Sequence, residues 1–269
     1  GKLPGAVDLR EWCPPIRFQG GFNTCSAHVV ATLVEFFEKK AFGKSVGASR
    51  LFLYKVTKNL LQTQGNAAVY IRQTMGALKL VGVPPEKFWP YPDPGTLQAP
   101  RTSDPRLDEE PTAFCYAVAD DYRAVSYYRL DPEPAETPRA GAEILRRVEA
   151  HLAACIPVAF GFPLHASAIK QSQKTGKLPF PGPSDPQVGN HAVVAVGYDD
   201  ALSVENSDSG AAATTGALLI QNSWSTAWGD SGYGWLPYEY VLRGTARDFW
   251  TLTRADWIDT ARFQLDLGG

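Results

Sequence analysis

A thiol, an imidazole and a carboxamide stand in that order along the 269-residue chain, with a second carboxamide just ahead of the thiol. The thiol is Cys25, in Gln19-Gly20-Gly21-Phe22-Asn23-Thr24-Cys25-Ser26-Ala27. The imidazole is His191, in Asn190-His191-Ala192-Val193-Val194-Ala195-Val196-Gly197-Tyr198. The amide is Asn222, in Gln221-Asn222-Ser223-Trp224-Ser225-Thr226-Ala227-Trp228-Gly229. Together they are the parts of an acyl-transfer site. A thiol attacks a carbonyl only as the thiolate, so something must lower its pKa. Thr24 is placed to be an N-cap, which puts Cys25 in the first turn of a helix, where unpaired N–H groups and the helix dipole favour a negative sulfur. An imidazolium from His191 would add to that effect. Asn222 would accept the other ring N–H and fix the ring's orientation. Gln19, six residues before Cys25, can set its side-chain NH2 beside the Cys25 N–H as an oxyanion hole. Trp224 would cover the Asn–His hydrogen bond and keep water from competing for it.

The elements that must position these groups fall into two halves. Val29, Val30, Leu33, Val34, Phe37 and Ala41 recur at helical spacing after Thr24, and Gly43 supplies a stop. Further helices are expected over about 49–61 and 69–80, the latter ending at Gly82. The segment from Pro90 to Pro111, rich in proline and charge, reads as a surface excursion between two lobes. The second half has a helix near 140–153 after Thr137-Pro138, then β-type runs at 157–162, 191–198, 217–221 and 233–236. Between two of these, 203–216 reads as an exposed loop. Helices first and an antiparallel sheet later make an α+β arrangement with a cleft between the halves.

Composition removes several other classes. Lys plus Arg number 26 against 28 Asp plus Glu, so there is no electrostatic case for nucleic acid or an anionic membrane as partner. No apolar run is long enough to span a bilayer, and the N-terminus lacks the basic-then-apolar layout of a signal peptide. The compartment is left open. The four cysteines, Cys13, Cys25, Cys115 and Cys155, are too few for a disulfide scaffold, and with Cys25 as a free nucleophile at most one bridge forms. Neither they nor His28, His151, His165 and His191 have zinc-site spacing, so no metal is expected, and the chemistry requires no cofactor.

The three segments resemble the papain-like (cathepsin-like) cysteine peptidases, and the likeness extends beyond the triad. Val7-Asp8-Leu9-Arg10 followed by Pro14-Pro15-Ile16-Arg17-Phe18-Gln19-Gly20 is similar to the mature N-terminus of that family. The run from Ser223 to Gly234 resembles its C-terminal motif. The match covers most of the chain and is nearest the bacterial-type branch. It implies a single papain-like domain over 1–269, with a helical left lobe at about 11–112 and an antiparallel, β-barrel-like right lobe at about 113–269. Cys25 would lie on a central helix of the left lobe and face His191 and Asn222 across the cleft.

The resemblance also implies where substrate binds. Specificity in the family comes mainly from a pocket for the second residue before the scissile bond, for which Gly161, Phe162 and Ala192 are the candidates. The Gly-Gly step that pairs with substrate backbone corresponds to Ala67-Ala68 after Asn66, and Trp224 and Trp228 are further candidates near the leaving group. There are departures. Phe22 stands where the family usually has a half-cystine, so that bridge cannot form, and Ser26 replaces the usual aromatic residue after the nucleophile. The expected function is peptide-bond hydrolysis through a covalent acyl-enzyme. Its partners would be a peptide or protein substrate and a proteinaceous inhibitor or propeptide. Two alternatives use the same residues: an acyltransferase or peptide ligase built on the same thioester, and a catalytically silent peptide-binding module.

Overall fold

The computed structural model describes residues 2–120, 124–131, 138–207, 211 and 213–255. They form two compact units, between which the chain crosses more than once. One unit is built chiefly from Gly20–Tyr128, together with Trp12–Pro14. The other takes the N-terminal stretch ending at Glu11, Pro15–Gln19 and Arg129–Thr251.

In chain order the elements are β1 (Ala6–Asp8), α1 (Cys25–Phe42), α2 (Arg50–Leu61), α3 (Ile71–Val81), α4 (Ala113–Ala119), β2 (Ala124–Arg129), α5 (Pro138–Ala153), β3 (Val158–His165), α6 (Ala166–Thr175), β4 (Gln187–Val204), β5 (Thr214–Gln221), β6 (Tyr233–Pro237), α7 (Glu239–Leu242) and β7 (Arg247–Ala255). The α+β layout read from the sequence is therefore present, and the first three predicted helices fall within two residues of their observed bounds. Thr137, part of the predicted start of α5, lies outside the described residues.

The helical unit forms around α1, which is buried on most of its faces, the apolar ones and those of Ser26, His28, Glu35 and Glu38 alike. Val30, Leu33 and Phe36 are fully buried, as are Leu51, Phe52 and Leu53 of α2 and Met75 and Leu78 of α3. Gly43 closes α1 with φ 71°, its N–H returning to the Lys39 carbonyl, a left-handed cap that suits glycine. At the start of α1, Thr24 occupies the cap position but does not cap with its side chain. Its backbone (φ −105°, ψ 10°) is not the extended form that aims a hydroxyl at the first-turn N–H groups. Thr24 Oγ1 instead pairs with the Tyr91 hydroxyl at 2.6 Å.

The segment 90–111 is not the bare excursion that its composition suggested. It packs within the helical unit on the loop preceding Cys25: the Gly21 N–H donates to the Arg101 carbonyl at 2.8 Å. Gly20 has φ +68°, and a Cβ there would sit 2.7 Å from the Pro94 carbonyl oxygen, so the close approach depends on glycine.

In the other unit the strands are hydrogen-bonded in the order β7-β3-β4-β5-β6, with β1 added on β4. The path does not return to its start, so the expected barrel-like lobe is an open sheet. The β3–β4, β4–β5 and β5–β6 pairs are antiparallel. The predicted 191–198 strand is the centre of the 18-residue β4, whose burial is confined to that stretch and to its last residue. The sequence reading shortened it because its flanks are polar and exposed. Ala166–Thr175 and Arg247–Ala255 were not anticipated as helix and strand. No helix among the described residues is long and apolar enough to cross a membrane.

Candidate active site

His191 lies on β4 directly opposite Phe162 of β3 and is 5% exposed. Its Nε2 is 2.8 Å from Asn222 Oδ1. Which of these atoms carries the proton follows from a second contact. Asn222 Oδ1 also accepts the Ser223 backbone N–H at 2.8 Å, so this atom is the amide oxygen and the His191 Nε2 must be its donor. Nδ1 is left as the basic nitrogen of the neutral ring. Asn222 is itself anchored where β5 ends, its N–H donating to the Gly232 carbonyl at 3.0 Å.

The ring is enclosed on two sides. Trp224 stacks on it with centroids 4.6 Å apart and planes at 21°, and Phe162 meets it edge-on at 6.0 Å. Burial pushes His191 down to about 4 from its ordinary 6.5, with the Asn222 hydrogen bond opposing the shift. An isolated His191 is thus neutral at physiological pH. Trp224 in turn meets Trp228 edge-on at 5.5 Å. Trp228 is 1% exposed, and its indole N–H donates to Ser172 Oγ on α6 at 3.2 Å. It supports Trp224 from beneath.

Gln19 belongs to the same unit. Its N–H donates to the Ser223 carbonyl at 2.9 Å, and its Oε1 accepts the Ser223 hydroxyl at 2.6 Å. In this arrangement the amide oxygen faces Ser223 and the NH2 is turned the other way. Ser223 consequently orients both carboxamides, one through its N–H and one through its hydroxyl. Its residue type and position in the Asn222-Ser223-Trp224 run carry no signal of this task. Its contact with Gln19 spans 204 positions and depends on the bridge that pairs Phe18 with Trp224.

Cys25 is in the helical unit, as the first residue of α1. The His28 N–H makes the bond to the Thr24 carbonyl that begins the helix, at 3.0 Å, and the His28 ring is spent on that carbonyl too, Nδ1 lying 3.0 Å from it. Cys25 is half-buried, and none of the four cysteines is in a disulfide. Phe22, in the usual half-cystine position, is buried edge-on against Tyr91 at 6.1 Å. Packing there takes the place of a bridge.

Asn66 uses its side chain on the same loop. Its Oδ1 accepts the Asn23 N–H at 2.6 Å, and its Nδ2 donates to the carbonyls of Gly21 at 3.0 Å and Thr102 at 3.2 Å. The Ala67 carbonyl accepts the Tyr54 hydroxyl at 2.7 Å, and Ala68 is exposed. Gly65, just before, is clasped by Lys58 Nζ at its carbonyl (2.8 Å) and by the Asp108 carboxylate at its N–H (2.8 Å). Gly161 and Ala192 are paired across β3 and β4, so they share one face, while Phe162 points to the other, with His191.

The model of a family described as papain family cysteine protease matches residues 3–241. Xylellain, a cysteine protease from Xylella fastidiosa, is 30% identical, with a TM-score of 0.74 over 94% of this chain and 87% of its own. An uncharacterized peptidase C1-like protein of Acanthamoeba polyphaga mimivirus is 29% identical over 240 residues, 87% of this chain and 68% of the viral protein. A cysteine protease of Carica candamarcensis, solved in complex with E-64, shares the fold at TM-score 0.60 and 21% identity, covering 94% of this chain and 99% of its own. The chain belongs to the papain family of cysteine proteases and is a peptidase of the hydrolase class.

Proposed function

We propose that this peptidase cleaves peptide bonds through a Cys25 thioester, with His191 as acid and base, Asn222 as its positioning residue and Gln19 as an oxyanion donor. The Cys25 thiol first gives its proton to His191 Nδ1; the sulfur lone pair then attacks the scissile carbonyl carbon, and the carbonyl π electrons move onto oxygen. The Gln19 NH2 and the Cys25 N–H stabilise that oxyanion. When it collapses, the C–N bond breaks and His191 Nδ1 delivers a proton to the leaving amine. The same nitrogen then takes a proton from water, whose oxygen attacks the thioester; the C–S bond breaks and Nδ1 returns that proton to sulfur, releasing the acid and regenerating the thiol. The observation that carries this reading is the Ser223–Asn222–His191 chain, which places the proton on Nε2 and leaves Nδ1 basic.

The test is the intact mass of the protein after brief exposure to an epoxysuccinyl-peptide inhibitor. One adduct is expected, mapping to Cys25 and absent from Cys25→Ser; no adduct, or one mapping to Cys13, Cys115 or Cys155, would sink the reading.

Ser223→Ala should lower kcat about five- to tenfold with little change in KM, the net worth of about one hydrogen bond. Ser223→Thr, which keeps the hydroxyl, should recover most of the loss in steady-state assays.

A further inference from the structure

The sheet face that carries Gly161 and Ala192 bears a cation that is paired with no carboxylate among the described residues. Arg247, at the start of β7, is paired with Gly161 in the β3–β7 register, as Ala192 is on the other side in the β3–β4 register. Residues directly opposite in neighbouring strands share a face, and strands lie about 4.8 Å apart. The three therefore form a row across β7, β3 and β4, with Arg247 about 10 Å from Ala192. The middle of the row is uncovered: a Cβ on Gly161 would meet only the backbone oxygens of Arg247 and His191, each at 3.7 Å. The same contact ties the row to the site, because it shows the His191 main chain bordering Gly161.

Arg247 is exposed, and its Nε donates to the Gly244 carbonyl at 2.7 Å, which anchors the guanidinium without neutralising it. It makes no ion pair among the described residues. The adjacent carboxylate, Asp248, has φ +64° and sits in the irregular step between Ala159 and Gly161. It is taken up by the Trp250 indole at 2.6 Å and by Arg129 at 3.9 Å. The other arginine nearby, Arg243, is paired with Glu239 at 2.8 Å.

We propose that Arg247 is a specificity-determining residue that selects substrates carrying a glutamate or aspartate on the side chain lying along this row. The two small residues leave room for that side chain, and the terminal guanidinium nitrogens meet its carboxylate. The inference rests on the reading of His191 given above.

The experiment compares peptides in which Glu, Gln or Lys occupies each of the three residues before the scissile bond. At one position wild type is expected to favour Glu over Gln by about tenfold in kcat/KM, as one charge-assisted contact would give. Raising the salt should shrink that ratio. Arg247→Gln should bring it to about one, and Arg247→Glu should turn the preference toward Lys. Because the ratio is internal to each preparation, partial misfolding of a variant does not alter it. No preference for Glu at any position, or a preference that survives Arg247→Gln, overturns the proposal. Peptide turnover retained by Cys25→Ser would instead overturn the reading of the site itself.

Discussion

Replacing His191 with alanine is expected to lower kcat/KM for peptide hydrolysis by about 10⁴-fold or more, the scale on which removal of a triad base acts. The ring supplies every proton transfer in the proposed cycle, and its partner on β3, Phe162, carries no group able to replace it. Alkylation of Cys25 by iodoacetamide should slow as well, because the thiolate loses its counter-ion. The protonation of this ring has a sign that can be checked. In Cys25→Ala there is no thiolate to favour the imidazolium, and burial alone should hold His191 near 4, below its ordinary 6.5. A group depressed in the folded state contributes stability above its unfolded pKa and loses it as pH falls. That variant should therefore lose this contribution between about 6.5 and 4. NMR titration of the histidines measures the value directly. A His191 pKa at or above 6.5 in Cys25→Ala would mean that the packing of Trp224 and Phe162 does not desolvate the ring.

Gln19→Ala should reduce kcat by about 10²–10³-fold, the cost of one oxyanion donor in a preorganised site. KM should move little, because the donor is aimed at charge that appears only in the transition state. The decisive contrast is with alkylation. Displacement on iodoacetamide develops no oxyanion, so Gln19→Ala should leave the Cys25 alkylation rate within about threefold of wild type while turnover collapses. Equal losses in both assays would assign Gln19 to activation of the thiol instead. Gln19→Glu should fall at least as far as Gln19→Ala, since its carboxylate offers no donor and would repel the oxyanion.

Much of the fold was legible because its signals are local. The apolar spacing of Val29, Val30, Leu33 and Val34 and the glycine stop at Gly43 describe α1 without reference to any other part of the chain. The buried run within β4 reads as a strand for the same reason. The miss at β7 has the opposite cause: Arg247 and Asp248 open it with charge, and Asp248 breaks the alternation that marks a strand. The open sheet was equally hidden, since closure depends on which strands pair at the edges rather than on any strand's own pattern. Thr24 shows a local signal overridden. Its residue type suits a cap, but the Tyr91 hydroxyl, from a segment 67 positions away, takes its side chain.

The sequence by itself determined the family, the residue types of the proposed site and their order, because Cys25, His191, Asn222 and Gln19 lie in short runs whose composition is specific. It also determined that Phe22 excludes a bridge, which is a matter of atoms present. Only the tertiary structure decided how those groups are held. The Ser223 hydroxyl orients Gln19 across 204 positions, its N–H fixes the Asn222 amide, and Trp224 stacks over His191. The pairing of Arg247 with Gly161 is likewise a matter of register between β3 and β7. Residue type specifies what a side chain can donate, accept or ionise. Which partner it meets, and how dry that meeting is, depends on segments distant in sequence that come together only when the chain folds.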